Sequence, residues 1–198
     1  MKRTEEIYRE ILFEAIEKKE AKLTQSEISR KTGISLSIVN SVIRRLDGVG
    51  AIKIERRNFR ILDTKKILYL WASIRNLKRD IIFQARVDAP VREIERALPN
   101  IFYTGYSAYK FKFGEVPADY SEIYVYGNEK ELELIKKRIS NFKVYENSKN
   151  SNLFILKKDS SMGLYKEIPL AQIFVDLWNL KEWYAREFVN AMEEKLEI

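Results

Sequence analysis

The sequence predicts an α+β protein with two domains: a basic helical domain, then a near-neutral domain that combines helices with a small sheet. Three observations support this prediction. Apolar residues recur at helical spacing up to residue 46, two short segments with strand-like alternation follow, and strands alternate with helices beyond residue 80. A length of 198 residues fits one large domain or two small ones. We place the domains at 1–79 and 80–198.

The composition excludes several kinds of site. The chain has no cysteine and no histidine, which rules out disulfides, thiolate nucleophiles, zinc fingers and histidine general bases. Metal chemistry would depend on carboxylates alone, and we predict neither a cofactor nor a metal site. No apolar run reaches the ~18 residues of a membrane span, and the charged amino end lacks the apolar centre of a signal peptide. We therefore expect a cytoplasmic protein with no membrane partner. The 33% of charged residues resembles the composition of hyperthermophile proteins.

The positive charge is concentrated in the first half of the chain. Residues 1–88 contain 20 Lys and Arg against 12 Asp and Glu, whereas residues 89–198 contain 16 against 17. The net charge of +7 therefore comes from the first half. Such asymmetry indicates a basic binding module joined to a near-neutral domain. Solvated surface charge is the alternative explanation.

The first domain begins with three predicted helices. The first is amphipathic and covers about residues 4–20. Thr24 and Glu27 form a predicted capping box at the start of the second helix. Gly33 ends that helix in the left-handed conformation that glycine prefers, and Ser35 is expected to cap the third helix.

A predicted β-hairpin follows the third helix. In AIKIERRNFRIL, Ala51 and Lys53 alternate with Ile52 and Ile54, and the polar, mostly charged residues 55–58 mark the turn. An apolar and glycine pattern runs through the whole domain, at Leu23, Ile28, Gly33, Ile34, Val39, Ile43, Leu46, Gly50 and Ile52. This pattern resembles the winged helix-turn-helix modules of many bacterial and archaeal repressors. The resemblance implies a DNA-binding domain.

The third helix combines an apolar stripe with a polar face. Val39, Ile43 and Leu46 are expected to pack into the domain. Serine and asparagine can bond base edges in the major groove, whereas arginines at the helix end suit phosphates. A helix amino terminus also attracts anions, so Ser35 is a predicted phosphate ligand. The predicted DNA-binding residues of this helix are Ser35, Ser37, Asn40, Ser41, Arg44 and Arg45.

The hairpin tip adds a basic cluster, and arginines on such a wing reach phosphates or the minor groove. Residues 22–62 contain nine basic and three acidic residues, so double-stranded DNA is the predicted partner. A winged helix used only for protein contacts is the alternative. The predicted DNA-binding residues of the hairpin are Arg56, Arg57, Asn58 and Arg60.

The rest of the chain mixes both kinds of element. A helix at about 64–77 is the predicted connector. Strands are predicted at 81–87, 122–127, 143–146 and 152–158. Helices are predicted at 91–98, 129–139, 169–180 and 181–196.

Two segments of the second domain carry a sharper resemblance. The first is YTGYSAYKFKFGEVPADYSEIYVYG at 103–127, and the second is EIPLAQIFVDLWNL at 167–180. With the winged helix, they resemble the abortive-infection E antitoxins of type IV toxin–antitoxin systems. The resemblance implies an autorepressor whose second domain is a degenerate nucleotidyltransferase-like domain. It also implies a partner, a nucleotidyltransferase-like toxin that is encoded nearby. We also expect a homodimer.

An active nucleotidyltransferase is the competing interpretation. Its chemistry needs a Gly-Ser turn and, soon after, two carboxylates one residue apart on a strand. Here Tyr106 follows Gly105, and Asp119 has Ser121 two positions later. The carboxylate pair is missing, so we predict that the chain is not an enzyme. A protein-interaction scaffold is the third alternative, and it would lack DNA affinity at low salt.

Overall fold

The computed structural model describes residues 1–197 and has an α+β fold. Within these residues it has nine α-helices and two sheets, which confirms the predicted fold class. No helix in this part of the chain is long and apolar enough to cross a membrane.

The chain divides into two compact units, and each combines separate segments. Among the described residues, the first unit contains Met1–Arg75, Ser160–Val175 and residues 193–197. The second unit contains Asn76–Asp159 and Asp176–Met192. The linear division that we predicted, 1–79 and 80–198, differs from these units because the segment from Ser160 to Val175 joins the first unit.

The first unit follows the predicted order of helices and hairpin, with one additional short strand. It also contains a 3₁₀-helix at Ser160–Leu164 and the first part of a later helix, α8. Its elements along the amino-terminal segment are α1 (Arg3–Ile16), β1 (Lys22–Leu23), α2 (Gln25–Thr32), α3 (Leu36–Gly48), β2 (Ile52–Ile54), β3 (Phe59–Ile61) and α4 (Thr64–Ile74).

Local sequence determines both ends of α2. Thr24 Oγ1 accepts a hydrogen bond from the Glu27 backbone N–H at 3.1 Å, and Glu27 Oε2 accepts from the Thr24 N–H at 3.0 Å. Gly33 follows the helix with φ +67°, a left-handed conformation that is strained for other residues. The predicted capping box and the predicted glycine end are both confirmed.

The sheet of the first unit has the strand order β1–β3–β2, and all its pairs are antiparallel. The predicted hairpin is therefore present, and β1 adds a third strand that the sequence did not indicate. Leu23 and Phe59 are buried in register, whereas Ile54 in the same row is 41% exposed. The apolar face expected for Ile52 and Ile54 thus includes only Ile52, because Ile54 ends its strand beside the turn.

The residues from Glu5 to Leu12 of helix α1 are all buried, and they carry charged side chains into the core. Arg9, which is fully buried, donates from Nη2 to Ser161 Oγ at 2.7 Å. Tyr165 OH donates to the buried Glu10 carboxylate at 2.6 Å. Because buried charges are costly unless they have polar partners, residues 160–175 are part of the structural core of the first unit.

The second unit contains a five-stranded sheet of order β5–β6–β8–β4–β7, in which only β6 and β8 are parallel within the described chain. Its elements are a 3₁₀-helix (Leu77–Asp80), β4 (Ile81–Val87), α5 (Val91–Ala97), β5 (Phe102–Thr104), α6 (Gly105–Phe113), β6 (Ile123–Gly127), α7 (Glu129–Ile139), β7 (Val144–Glu146) and β8 (Leu153–Lys157). Two late helices follow, α8 (Leu170–Trp178) and α9 (Ala185–Leu196), and both cross from one unit to the other.

Alternation along the strands gives this sheet two different faces. One face packs on α5 and α7 and forms the main core, with Phe83 and Ala85 from β4, Ile123 and Val125 from β6, Leu153 and Ile155 from β8, Ile94 from α5, and Ile135 and Ile139 from α7. The opposite face carries Tyr124, Phe154 and Gln84 in one cross-strand row. Period-2 burial is clearest along β4, where it makes the strand recognisable in the sequence.

Several element limits differ from the predictions. Helix α1 ends at Ile16 rather than residue 20, and the last helix begins at Ala185 rather than residue 181. β1, β5 and α6 were not predicted. In α6 the residues from Gly105 to Tyr109 are all buried, so the helix lacks the apolar and polar alternation that predicts helices from sequence.

Candidate nucleic-acid interface

Helix α3 is anchored in the first unit through its apolar stripe. Val39, Ile43 and Leu46 are fully buried, and Val42 is nearly so, as the spacing predicted. Ser35 occupies the N-cap position, but its hydroxyl makes no capping hydrogen bond. The expected side-chain cap is therefore absent, and the exposed Ser35 hydroxyl remains at the helix amino terminus.

One side of α3 presents a continuous stripe of polar residues. Ser37, Ser41 and Arg44 are exposed and follow one another at helical spacings of four and three, so they share one face. Along the axis they span roughly 10 Å at 1.5 Å per residue. The structure thus brings these three predicted residues together on the outer face of the helix.

Asn40 lies on the same stripe but has a partner within the unit. It is half-buried, and its Nδ2 donates to Gln25 Oε1 of α2 at 3.1 Å. This bond orients the amide and leaves its carbonyl oxygen and second N–H for other contacts. Arg45 is exposed at the edge of the stripe, and its positive charge partly offsets the increase in the pKa of Tyr8 that burial causes.

The β2–β3 turn separates its four predicted residues. Arg56 and Arg57 are exposed. Arg60 is also exposed but forms an ion pair with Glu55, with Nη2 and Oε1 2.9 Å apart. The Asn58 carbonyl oxygen accepts from the Glu55 N–H at 2.8 Å and closes the turn, while its side-chain oxygen is buried. Asn58 therefore shapes the turn through its backbone, its side chain is half-buried, and its DNA contact stays a prediction.

The three-stranded sheet carries a row of positive charges that the sequence prediction missed. Lys22 on β1 lies opposite Arg60 on β3, which lies opposite Lys53 on β2. All three are exposed. Because like charges directly opposite each other destabilise a sheet, this basic row is an electrostatic cost that a bound polyanion would relieve. The row depends on the two-residue strand β1, which has no sequence signature of its own.

The acidic residues of this region are already engaged. The Thr24 hydroxyl, through its hydrogen bond, lowers the pKa of Glu27. Asp47 Oδ1 accepts from the Ile54 N–H at 3.0 Å, and Glu55 bonds to an arginine as described. None of these carboxylates offsets the positive charge on the polar stripe of α3.

Most of the basic residues have no such partner. Of nine between residues 22 and 62, Lys31 pairs with Glu14 at 2.6 Å and Arg60 pairs with Glu55. The other seven form no ion pair within residues 1–197 and are all exposed: Lys22, Arg30, Arg44, Arg45, Lys53, Arg56 and Arg57. A surface with this charge is suited to a polyanion.

No family model, curated protein or solved structure matches the chain.

The residues of the alternative, catalytic interpretation belong to the second unit. Gly105 starts α6 with φ +60°, and Asp119 is exposed outside any strand. Glu122 accepts hydrogen bonds from the Ser121 and Tyr184 hydroxyls. Among the described residues no group of three or more Asp and Glu is arranged to hold a metal ion.

Asp176 is a further polar residue that the sequence left without a role. It is fully buried, and it accepts from Thr104 Oγ1 at 2.8 Å and from Tyr126 OH at 2.5 Å. These bonds tie the end of α8 to two strands of the second unit's sheet. Trp178 and Trp183 are 43% and 82% exposed.

Proposed function

We propose that this protein is a sequence-specific DNA-binding transcriptional regulator whose first unit is a winged helix-turn-helix domain. One observation carries the proposal. Seven exposed cations of residues 22–62 lack an ion-pair partner in the described chain, while the three carboxylates of the same region are engaged. Neutralising phosphates is the function that such a surface serves best.

In this proposal α3 lies in the major groove with its polar stripe toward the bases. Ser37 and Ser41 bond base edges, and Arg44 contacts a guanine or a phosphate. Asn40 presents an amide, oriented by Gln25, to an adenine. Ser35 and Arg45, at opposite ends of the helix, bind the backbone on either side of the groove.

The turn and the basic row hold the phosphate backbone. Arg56 and Arg57 extend from the β2–β3 turn to phosphates or the minor groove. Lys22 and Lys53 contact phosphates from the sheet, and the mutual repulsion across their row falls when DNA binds. These contacts are independent of sequence and determine how strongly affinity depends on salt.

The biological role rests on the resemblance to the abortive-infection E antitoxins. We propose a non-enzymatic autorepressor, with a nucleotidyltransferase-like toxin as its protein partner and a homodimer as the DNA-binding form. The second unit is then a degenerate nucleotidyltransferase-like domain that takes no part in catalysis. Co-expression with the product of a neighbouring toxin-like gene, followed by a growth assay, tests the antitoxin role.

Selection of bound sequences from a random duplex pool tests DNA recognition directly. The full chain should enrich one motif, and its affinity for that motif should exceed its affinity for a scrambled duplex by about 10³-fold or more. The double variant Arg56→Glu and Arg57→Glu should lose binding to both duplexes. Retention of an unselected pool with no enriched motif would contradict sequence-specific regulation.

A matched control separates specific contacts from net charge. Lys130→Glu with Lys137→Glu makes the same change in charge on α7, where both lysines are exposed. This variant should bind DNA like the natural protein, within about twofold. If the two double variants lose affinity equally, net charge and not the β2–β3 turn is responsible for binding.

A further inference from the structure

The second unit contains an open cavity on the face of its sheet that lies opposite the main core. Its volume is about 670 Å³, which is within the range of about 300–1,000 Å³ that small-molecule sites occupy. Strands β4, β6 and β8 supply its floor through Gln84, Tyr124 and Phe154. The segments 147–152 and 179–182 form its rim.

The floor of the cavity carries a stacked pair of aromatic rings. Tyr124 and Phe154 are register partners on the parallel strands β6 and β8. Their ring centroids are 4.6 Å apart with planes 9° from parallel. Tyr124 is buried, whereas Phe154 is only half-buried and lines the cavity. Because each ring covers one face of the other, a planar ring can stack on the outer face of the half-buried Phe154.

The two carboxylates of the cavity accept hydrogen bonds from tyrosine hydroxyls of the same unit. Glu122 accepts from Tyr184 OH, and Glu182 accepts from Tyr106 OH at 3.1 Å. Burial, together with the bond to Glu122, raises the pKa of Tyr184 to about 12, so this hydroxyl stays protonated and continues to donate at neutral pH.

The basic residues of the cavity outnumber its two carboxylates. Four of them line it and are exposed, and none forms an ion pair within the described chain: Lys78, Arg86, Lys149 and Lys181. The site as a whole therefore favours an anion. Gln84, Asn147 and Asn150 add amide groups that can donate to and accept from the edge of a heterocycle.

We propose that this cavity is a binding site for a mononucleotide. The base stacks on Phe154, the amides contact its edge, and the phosphate lies among Lys149 and Lys181. A nucleotide combines the planar ring, the hydrogen-bonding edge and the negative charge that the three features of the site would recognise. The proposal concerns binding without catalysis, and it does not depend on the DNA-binding function of the first unit.

Calorimetric titration of the full chain with AMP, GMP, CMP and UMP tests the proposal. At least one nucleotide should bind saturably. Adenosine, which lacks the phosphate, and ribose 5-phosphate, which lacks the base, should each bind about tenfold more weakly or worse. Absence of saturable binding for all four nucleotides would overturn the proposal. Stronger binding of a short single-stranded oligonucleotide than of any mononucleotide would also overturn it, and would indicate a strand-binding face.

Two pairs of variants locate the site. Phe154→Leu should weaken nucleotide binding about tenfold and leave ribose 5-phosphate binding unchanged. Phe111→Leu, at an exposed phenylalanine of α6 outside the cavity, should change neither. If Phe154→Leu weakens both ligands alike, the base does not stack there and the assignment fails.

The lysine variants keep the proposal testable even if Phe154→Leu disturbs folding. Lys149→Ala with Lys181→Ala alters only exposed side chains, and should weaken nucleotide binding while adenosine binding stays the same. The control, Lys130→Ala with Lys137→Ala on α7, should bind nucleotides normally. Equal losses in the two double variants would show that the cavity does not hold the phosphate.

Discussion

Lys53→Ala is expected to raise stability while it weakens DNA binding. Lys53 lies opposite Arg60, and Arg60 lies opposite Lys22. Like charges at such positions destabilise a sheet, so removing the Lys53 ammonium should increase the free energy of unfolding by about 0.2–1 kcal/mol. Because Glu55 already pairs with Arg60 at 2.9 Å, the gain should fall toward the lower end of this range.

The effect on binding follows from the phosphate that Lys53 is proposed to contact. Each neutralised phosphate contributes about −0.9 to the slope of log affinity against log salt concentration. Lys53→Ala should therefore reduce the magnitude of this slope by about 0.9. Across a fourfold increase in salt, the ratio of natural to variant affinity should fall about 3.5-fold for each protomer bound.

Two measurements on the same variant check this prediction. Urea unfolding at low salt gives the change in stability, and fluorescence anisotropy with a labelled duplex at several salt concentrations gives the slope. Lys130→Ala, at an exposed position of α7, is the control and should change neither quantity. A destabilised Lys53→Ala variant, or one with an unchanged salt slope, would refute the role assigned to the basic row.

Three further predictions concern readout, the extent of the first unit and a helix cap. Asn40→Ala should reduce affinity for the preferred duplex by about 1–3 kcal/mol, whereas Arg57→Ala should weaken binding to all duplexes alike and lower the salt slope by about one. Titrations against the preferred duplex and a scrambled duplex separate these effects. The opposite pattern would mean that the β2–β3 turn, and not α3, recognises the base sequence. A fragment of residues 1–79 should lose about 3–5 kcal/mol of unfolding free energy or fail to fold, because buried charges of α1 lose their partners. A cooperative thermal melt, measured by circular dichroism, at the melting temperature of the full chain would contradict this. Thr24→Ala should destabilise the protein by about 1 kcal/mol at neutral pH and by less in acid. The stability that depends on the lowered pKa of Glu27 is present above the ordinary pKa of that carboxyl and is lost as pH falls through the lowered pKa. A difference in unfolding free energy that does not change with pH would argue against the capping role of Glu27.

The elements that were predictable are those specified by neighbouring residues. The Thr24–Glu27 capping box and the left-handed Gly33 involve contacts within a few positions of the chain. Helix α7 has the limits that were predicted, Glu129 to Ile139, because Asn128 caps it and its apolar residues keep helical spacing. The exposed stripe of α3 was predictable for the same reason, since burial of Val39 and its helical neighbours determines which side faces outward.

The features that were missed depend on residues far apart in the sequence. Strand β1 has only two residues, and it exists because they pair with Phe59 and Arg60. The basic row across the sheet was invisible for this reason. Likewise, nothing near Arg9 indicates that Ser161 will supply its hydrogen-bond partner, 152 positions later. The cavity of the second unit requires Tyr124 and Phe154 to be neighbours, and they become so only through parallel pairing of β6 with β8.

The salt dependence of DNA binding by the full chain tests the central claim most directly. Anisotropy titrations of a labelled duplex at several salt concentrations give the slope of log affinity against log salt. The seven exposed cations without ion-pair partners set a limit of about −6 for each protomer if each contacts one phosphate, and we expect a slope of about −3 or steeper per protomer. A slope near zero, or no binding to any duplex at the lowest salt concentration, would contradict DNA binding as the function of this surface.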